Sequence, residues 1–224
     1  MAKPNPDLLK FLRTKRAWSP PGPPTVAGIK KLLRKHPDIV VLTCTRRGSS
    51  VINNCALRAF YPMFPPRAIL PGDVESNPLN YHKDGKLKNV QQLVAMEFEV
   101  YIGMRVVFTR NVCKASDYVN GMMGVVEAFD SRYQIIRIRT DTGKLIACTP
   151  WTDRELGNMV YYPVKPGYAS TILKMQGMEL KKVCVYLDAM HVPGAAYTAI
   201  SRVSLLDDFV IGGIINADHF MPAM

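Results

Sequence analysis

The alternation of apolar and polar positions divides the chain into three stretches with different grammars. Residues Asp7 to Trp18 set Leu8, Leu9, Phe11 and Leu12 among Lys10, Arg13, Lys15 and Arg16, the pattern of a short amphipathic helix with a basic polar face. Ser19 to Pro24 is a proline-rich break. Thr25 then stands at an N-cap position ahead of Val26, Ile29, Leu32 and Leu33 at helical spacing, which predicts a second helix. The lysines and arginine along it read as a solvated face.

Ile39 to Leu42 is continuously apolar and mostly β-branched, as a strand buried on both faces requires. A polar, basic loop from Thr43 to Gly48 and a helix from Ser49 to Tyr61 complete a strand–loop–helix unit, with the loop where open α/β sheets place their ligands. Pro62 to Pro66 ends it, and Pro71 to Asn89 reads as a long surface excursion. From Gly103 to Trp151 short strands alternate with Asn-Gly, Asp-Ser and Thr-Gly turns. The strands are Met104–Phe108, Val125–Phe129, Ile135–Ile138 and Leu145–Cys148, and they suggest a small antiparallel barrel inserted into an α/β domain. The α/β rhythm then resumes with a strand at Val160–Tyr162, a short helix at Tyr168–Met175 and a strand at Val183–Leu187. A helix at Ala195–Ser201 and a strand at Phe209–Ile215 close the pattern. The divisions are an N-terminal helical segment over 1–37, an α/β domain over 38–97 and 153–224, and the barrel over 98–152.

Composition narrows the partner. The chain's 224 residues suffice for one full core, and 29 Lys and Arg against 18 Asp and Glu give a net charge of +11, which favours a polyanion. Cys44, Cys55, Cys113, Cys148 and Cys184 form no CxxC pair, and the histidines are scattered, so neither a zinc site nor a disulfide scaffold is indicated. No metal-binding residues are assigned. The amino terminus carries no apolar signal core, and no stretch approaches the ~20 apolar residues of a membrane span. An intracellular setting follows, with nucleus, mitochondrion and bacterial-type cytoplasm not distinguished.

Two blocks carry the chemistry: Tyr168-Ala169-Ser170-Thr171-Ile172-Leu173-Lys174-Met175-Gln176-Gly177-Met178-Glu179-Leu180, and Pro193-Gly194-Ala195-Ala196-Tyr197-Thr198-Ala199-Ile200-Ser201-Arg202-Val203. Together and in this order they resemble the last two signature motifs of superfamily-one DNA helicases, closest to the PIF/RecD branch. Val41 to Asn53 looks like the motif that opens the family's second RecA-like domain. Gly103-Met104-Arg105-Val106, Val119-Asn120-Gly121 and Gly124-Val125-Val126 are similar to the SH3-like barrel inserted there. The likeness runs from Asp38 to near the end. It implies an α/β fold: a RecA-like parallel sheet with helices on both faces, as in P-loop NTPases, plus a small inserted antiparallel β-barrel.

The resemblance also implies roles. ATP in such motors lies between two RecA-like domains, and Arg202 matches the finger that reaches its γ-phosphate, a task suited to a planar guanidinium that never deprotonates. That places Arg202 at a cleft edge, on the exposed C-terminal rim of the sheet. Arg46 or Arg47 supplies a second phosphate contact. Gly177 lets the backbone approach nucleotide or strand closely, and Glu179, where the branch usually has threonine, matches a carboxylate that reaches the ribose. Thr171, Lys174 and Gln176 match contacts to the tracked single strand, with Thr171 and Lys174 on one helical turn facing one phosphate. Leu173 stands where the family has a histidine, which removes one polar strand contact.

No Gly-x-x-x-x-Gly-Lys-[Ser/Thr] phosphate loop occurs, and Thr142-Gly143-Lys144-Leu145 is only an echo of one inside the expected barrel. ATP and Mg would therefore be held mainly by an absent N-terminal RecA-like domain, present in cis or in trans. The implied function is the C-terminal half of an ATP-dependent DNA helicase, inactive alone as an ATP hydrolase and moving 5′ to 3′ on single-stranded DNA. The alternative is a non-catalytic nucleic-acid-binding module derived from a helicase.

Overall fold

Ile39, Val40, Val41 and Leu42 offer no polar face, so the strand they form must be covered on both sides, and all five residues of β1 (Ile39–Thr43) are buried. The strand belongs to a computed structural model that describes residues 6–16, 23–204 and 209–221. The chain divides into two units, residues 1–60 with 168–224, and residues 61–167.

The first unit opens with α1 (Pro6–Phe11), followed by a π-helical turn over Leu12–Arg16. Trp18, the expected end of this helix, lies outside the described residues. In α2 (Val26–Lys35) the Thr25 hydroxyl accepts from the Gly28 N–H at 3.1 Å, and Ile29, Leu32 and Leu33 form the buried stripe. That stripe rests on α3 (Arg46–Phe60). The helix begins three residues earlier than the pattern suggested, so Arg46 and Arg47 occupy its first turn instead of a loop.

In the second unit β2 (Ala68–Gly72) pairs antiparallel with β3 (Met96–Val100). The expected strands form as β4 (Arg105–Phe108), β5 (Met123–Asp130), β6 (Ile135–Thr140) and β7 (Leu145–Cys148). After the pair β8 (Trp151–Asp153) and β9 (Met159–Tyr161), β10 (Val164–Pro166) returns to give one antiparallel sheet of order β10-β4-β5-β6-β7. Residues 61–97 and 153–167 thus belong with this unit, which is wider on both sides than the 98–152 expected. Asn120 and Gly121 sit in a tight turn, with Gly121 at φ 90°. Thr142-Gly143-Lys144 is the β6–β7 hairpin turn, with Thr140 N–H bonded to Lys144 O at 2.8 Å.

Only the first half of the Pro71–Asn89 stretch departs from a surface excursion; residues 82–86 are exposed. Asp73, Val74, Asn77 and Asn80 are buried. Asn80 gives Nδ2 hydrogen bonds to Val74 O and Val94 O, both at 2.8 Å, and accepts from Val94 N at 3.0 Å. Asparagine amides substitute here for strand pairing, which composition alone presents as loop.

The first unit resumes with β11 (Ala169–Thr171), β12 (Lys182–Leu187), α4 (Ala195–Ile200) and β13 (Phe209–Gly213). Its sheet is parallel throughout, in the order β11-β1-β12-β13. The chain steps from β1 to β11 in one direction and from β12 to β13 in the other, so right-handed crossovers put α3 and α4 on opposite faces. The helix expected over Tyr168–Met175 is instead β11 and one 3₁₀ turn, Leu173–Met175. Available partners decide this. Val41 N–H donates to Tyr168 O at 2.9 Å, while the Asn53 side chain accepts from the N–H groups of Tyr168 and Ala169 and donates to Ala169 O at 3.0 Å.

Candidate functional site

A parallel sheet gathers all its strand ends of one kind at one edge. The carboxyl edge of the first unit carries the end of β1 with Arg46 and Arg47, the end of β11 with Thr171 and Lys174, and Asp188 just after β12. Ile172 N–H donates to Thr43 O at 3.0 Å, tying the turn that bears Lys174 to the neighbouring strand end. Thr171 is 8% exposed at the close of β11 and does not share a helical turn with Lys174. Lys174 is half-buried; Gln176 is exposed.

Asp188 organises this edge. Its Oδ1 accepts from the N–H of Cys44 at 2.7 Å and of Thr45 at 3.2 Å, and its Oδ2 accepts from the Thr45 hydroxyl. The Thr45 hydroxyl in turn accepts from Gly48 N–H at 2.9 Å, capping α3. A Cβ on Gly48 would collide with the Asp188 carboxylate. An internal anion therefore already fills the strand–loop–helix entry, where a phosphate would otherwise meet free amides. Burial and the Asp188 charge push the Cys44 thiol up to about 11.

Arg202 is on the other edge, not on the carboxyl rim. Leu180, two residues before β12, donates its N–H to Arg202 O at 2.8 Å. The reason is topological: a helix that follows a parallel strand must run back along the sheet, so its end lies beside the strand's start. Glu179 joins the same place, its Oε1 accepting from the Ser204 hydroxyl at 2.6 Å. The Arg202 guanidinium is half-buried and turned onto the end of its own helix, with Nε donating to Thr198 O at 3.1 Å and Nη2 to Ser201 Oγ at 2.8 Å. Gly177 lies between the two edges at φ +83°, and an added Cβ would meet open space, so the residue serves a left-handed backbone and not a close approach.

The candidate residues thus separate. Arg46, Arg47, Thr171 and Lys174 share the carboxyl edge, while Glu179 and Arg202 share the amino edge. By sequence, the segments of the first unit hold sixteen Lys and Arg against seven Asp and Glu, so +9 of the net charge of +11 falls on them. Among the described residues no group of three or more His, Cys, Asp or Glu is placed to hold a metal ion. Among the described residues no helix is long and apolar enough to cross a membrane.

Pattern reading missed Asp188 and Asn53. An acid directly after a buried strand was the only signal for Asp188. Asn53 was visible as an amide on the apolar side of a helix, where it is 6% exposed.

No protein-family model matches the chain. Over 147 residues, 61% of the chain, it is 31% identical to the ATP-dependent DNA helicase PIF1 of Rattus norvegicus, of which it spans 23%. Over 124 residues it is 29% identical to the ATP-dependent DNA helicase Pif1 of Campylobacter jejuni, of which it spans 28%. Its fold matches a Pif1 helicase from Bacteroides, solved in complex with ADP-AlF3 and single-stranded DNA, at a TM-score of 0.59 and 20% identity. That match covers 97% of this chain and 47% of the other. The chain therefore spans about a quarter of the curated relatives it matches.

Proposed function

We propose that this chain, a homologue of the Pif1-family superfamily-one helicases, is the second RecA-like half of a DNA-dependent ATP-hydrolysing motor. In this reading it lends Arg202 to a nucleotide held by another domain and guides single-stranded DNA over the opposite edge of its sheet. The observation that carries the reading is the partition of its candidate residues: Arg202 and Glu179 at the amino edge, Lys174 with Arg46 and Arg47 at the carboxyl edge.

The partition suits a motor that must sense nucleotide on one side and release a strand on the other. The triphosphate and its Mg²⁺ belong to an N-terminal RecA-like domain, in cis or in trans, because Asp188 closes this unit's own helix entry to phosphate. Arg202 brings a permanent cation to the γ-phosphate from across the cleft. Glu179, already bonded to Ser204, faces the sugar. Lys174 and Gln176 hold phosphates of the tracked strand, and Thr171 sets the strand end behind them. Arg46 and Arg47, expected from the motif to contact the nucleotide's phosphates, lie in the first turn of α3 at the edge that carries Lys174. In this reading they are assigned to the strand side. The five-stranded antiparallel sheet of the second unit corresponds to the family's SH3-like insert. Movement is 5′ to 3′, and the setting is intracellular.

Salt-dependent binding tests the strand-tracking half of the reading. Lys174→Ala should flatten the slope of log K against log salt on single-stranded DNA by about 0.7. An unchanged slope removes Lys174 from the contact. A second reading, a nucleic-acid-binding module without ATPase work, draws support from the Arg202 guanidinium, which is engaged with its own helix end. Substitution of Arg202 separates the two readings.

A further inference from the structure

We propose that the solvent face of α2 is a second nucleic-acid contact, a row of cations that grips a phosphate backbone apart from the strand-tracking edge. The inference rests on the DNA-binding reading above.

The helix reads Val-Ala-Gly-Ile-Lys-Lys-Leu-Leu-Arg-Lys and contains four cations and no acid. Its apolar stripe, Ile29, Leu32 and Leu33, is spent on the core, which leaves Lys31, Arg34 and Lys35 on the exposed side and Lys30 at its margin. Lys31 stands three and four residues from Arg34 and Lys35, and Lys30 four from Arg34, so each like-charge pair lies within one helical turn. Such pairs destabilise a helix by about 0.2–0.5 kcal/mol each. Among the described residues none of the four has an ion-pair partner that would relieve this.

A structural explanation covers only part of the row. The helix dipole favours Arg34 and Lys35 in the last turn, but the benefit fades within that turn and does not extend to Lys30. A purely solvated face would ordinarily mix signs. His36, the C-cap, registers the local field: burial lowers its pKa, and the charges of Lys182, at the start of β12, and of Lys35 lower it further. Lys182, on the neighbouring strand, thus adds to the charge of Lys35 at His36.

A nucleic-acid backbone is the occupant that this chemistry fits. A rigid helix presents its charges at fixed spacing, which suits the fixed phosphates of a duplex. A membrane surface would call for bulky apolar groups beside the cations, and the exposed face between Lys31 and Lys35 has none. The face differs from the carboxyl edge in position and in residues, so the two can be tested independently.

The test uses the full chain and a 20-base-pair DNA duplex, with binding followed by anisotropy from 50 to 200 mM salt. The variant Lys31→Gln/Arg34→Gln/Lys35→Gln removes repulsion and keeps good helix formers, so it should unfold at or above the wild-type temperature. Its log K against log salt slope should flatten by about 2.7, with binding at 100 mM salt weaker by about 10²-fold or more. Lys83→Gln/Lys86→Gln, which removes two exposed cations of the second unit, should change little. In the wild type, bound phosphates should cancel the lysine field, so the His36 pKa followed by NMR should rise when duplex is added. An unchanged slope in the α2 variant together with an unmoved His36 overturns the proposal. If Lys174→Ala still flattens the single-strand slope in that case, the DNA-binding reading survives; if neither variant changes a slope, both fall. Wild-type binding to phosphatidylserine vesicles that exceeds duplex binding and depends on the same three cations also overturns it.

Discussion

The carboxylate of Asp188 lies 2.7 Å from the backbone nitrogen of Cys44, so the end of β12 closes directly onto the entry of α3. The same carboxylate holds Thr45 through its N–H and its hydroxyl. Asp188→Ala leaves two amides at a helix entry without their acceptor, and should destabilise the fold by about 2–4 kcal/mol. Asp188→Asn keeps an oxygen acceptor but loses the charge, and should cost about half as much. Urea unfolding measures both. An Asp188→Ala protein with the wild-type midpoint would remove the lock from the account.

Thiol labelling probes the same edge from outside. Cys44 is pushed up to about 11 and Cys148, deeper, to about 12, both chiefly by burial. Cys113 is exposed, and hydrogen bonding from Ser116 holds it below the ordinary thiol range. At neutral pH Cys113 should therefore react first with iodoacetamide, Cys44 slowly, and Cys148 and Cys184 only on unfolding. Early modification of Cys44, read by peptide mass mapping, would contradict the placement of Asp188 beside it.

Asn53 closes the sheet on the other side. Its amide makes three hydrogen bonds to the backbone of Tyr168 and Ala169, at 2.9 to 3.1 Å. Asn53→Ala strands three buried groups of the edge strand and should destabilise by about 2–4 kcal/mol. Asn53→Asp should be no better, because a second oxygen would face Ala169 O. The expected sign of disturbance is fast hydrogen exchange over 168–172, before global unfolding. Protection equal to wild type in that segment would contradict the tie.

How much of this was legible follows from what carries each feature. Periodicity and turn residues depend on local sequence, so β1, α2, β7 and the hairpins stood out within a residue or two. β11 did not, because three residues without alternation carry no period, and their strand character comes from Val41 and Asn53, more than a hundred positions away. The rim assignment of Arg202 failed for a related reason. Sequence order says that a helix follows β12, but only the return of that helix along the sheet places its end by Leu180. The carboxyl-edge place of Arg46 and Arg47 followed from the strand–loop–helix pattern; the amino-edge place of Arg202 and Glu179 did not.

The second unit predicts a pH response. Arg110 donates to Glu75 Oε2 at 3.0 Å and to Asp153 Oδ2 at 3.1 Å, and the Tyr161 hydroxyl donates to the same Asp153 oxygen at 2.6 Å. Burial opposes the Asp153 charge, yet Tyr161 and Arg110 prevail and hold its pKa below the ordinary value. A depressed carboxylate contributes stability above its unfolded pKa, about 3.9, and loses it as pH falls through the folded value. Arg110→Met should destabilise by about 3 kcal/mol at pH 7 and begin acid unfolding at higher pH than wild type. Acid titration followed by circular dichroism checks this; coincident acid midpoints would contradict it.

The most direct measurement is ATP turnover with Arg202→Lys. The chain would be assayed with a Pif1-type N-terminal domain carrying a phosphate loop, in the presence of single-stranded DNA. A guanidinium that stabilises the γ-phosphate in the transition state should be worth about 10³-fold or more in turnover, whereas lysine keeps the charge and loses the fork. Turnover should collapse while the affinity for single-stranded DNA stays within about twofold. Undiminished turnover in Arg202→Lys, or equal loss of turnover and DNA affinity, would contradict the account.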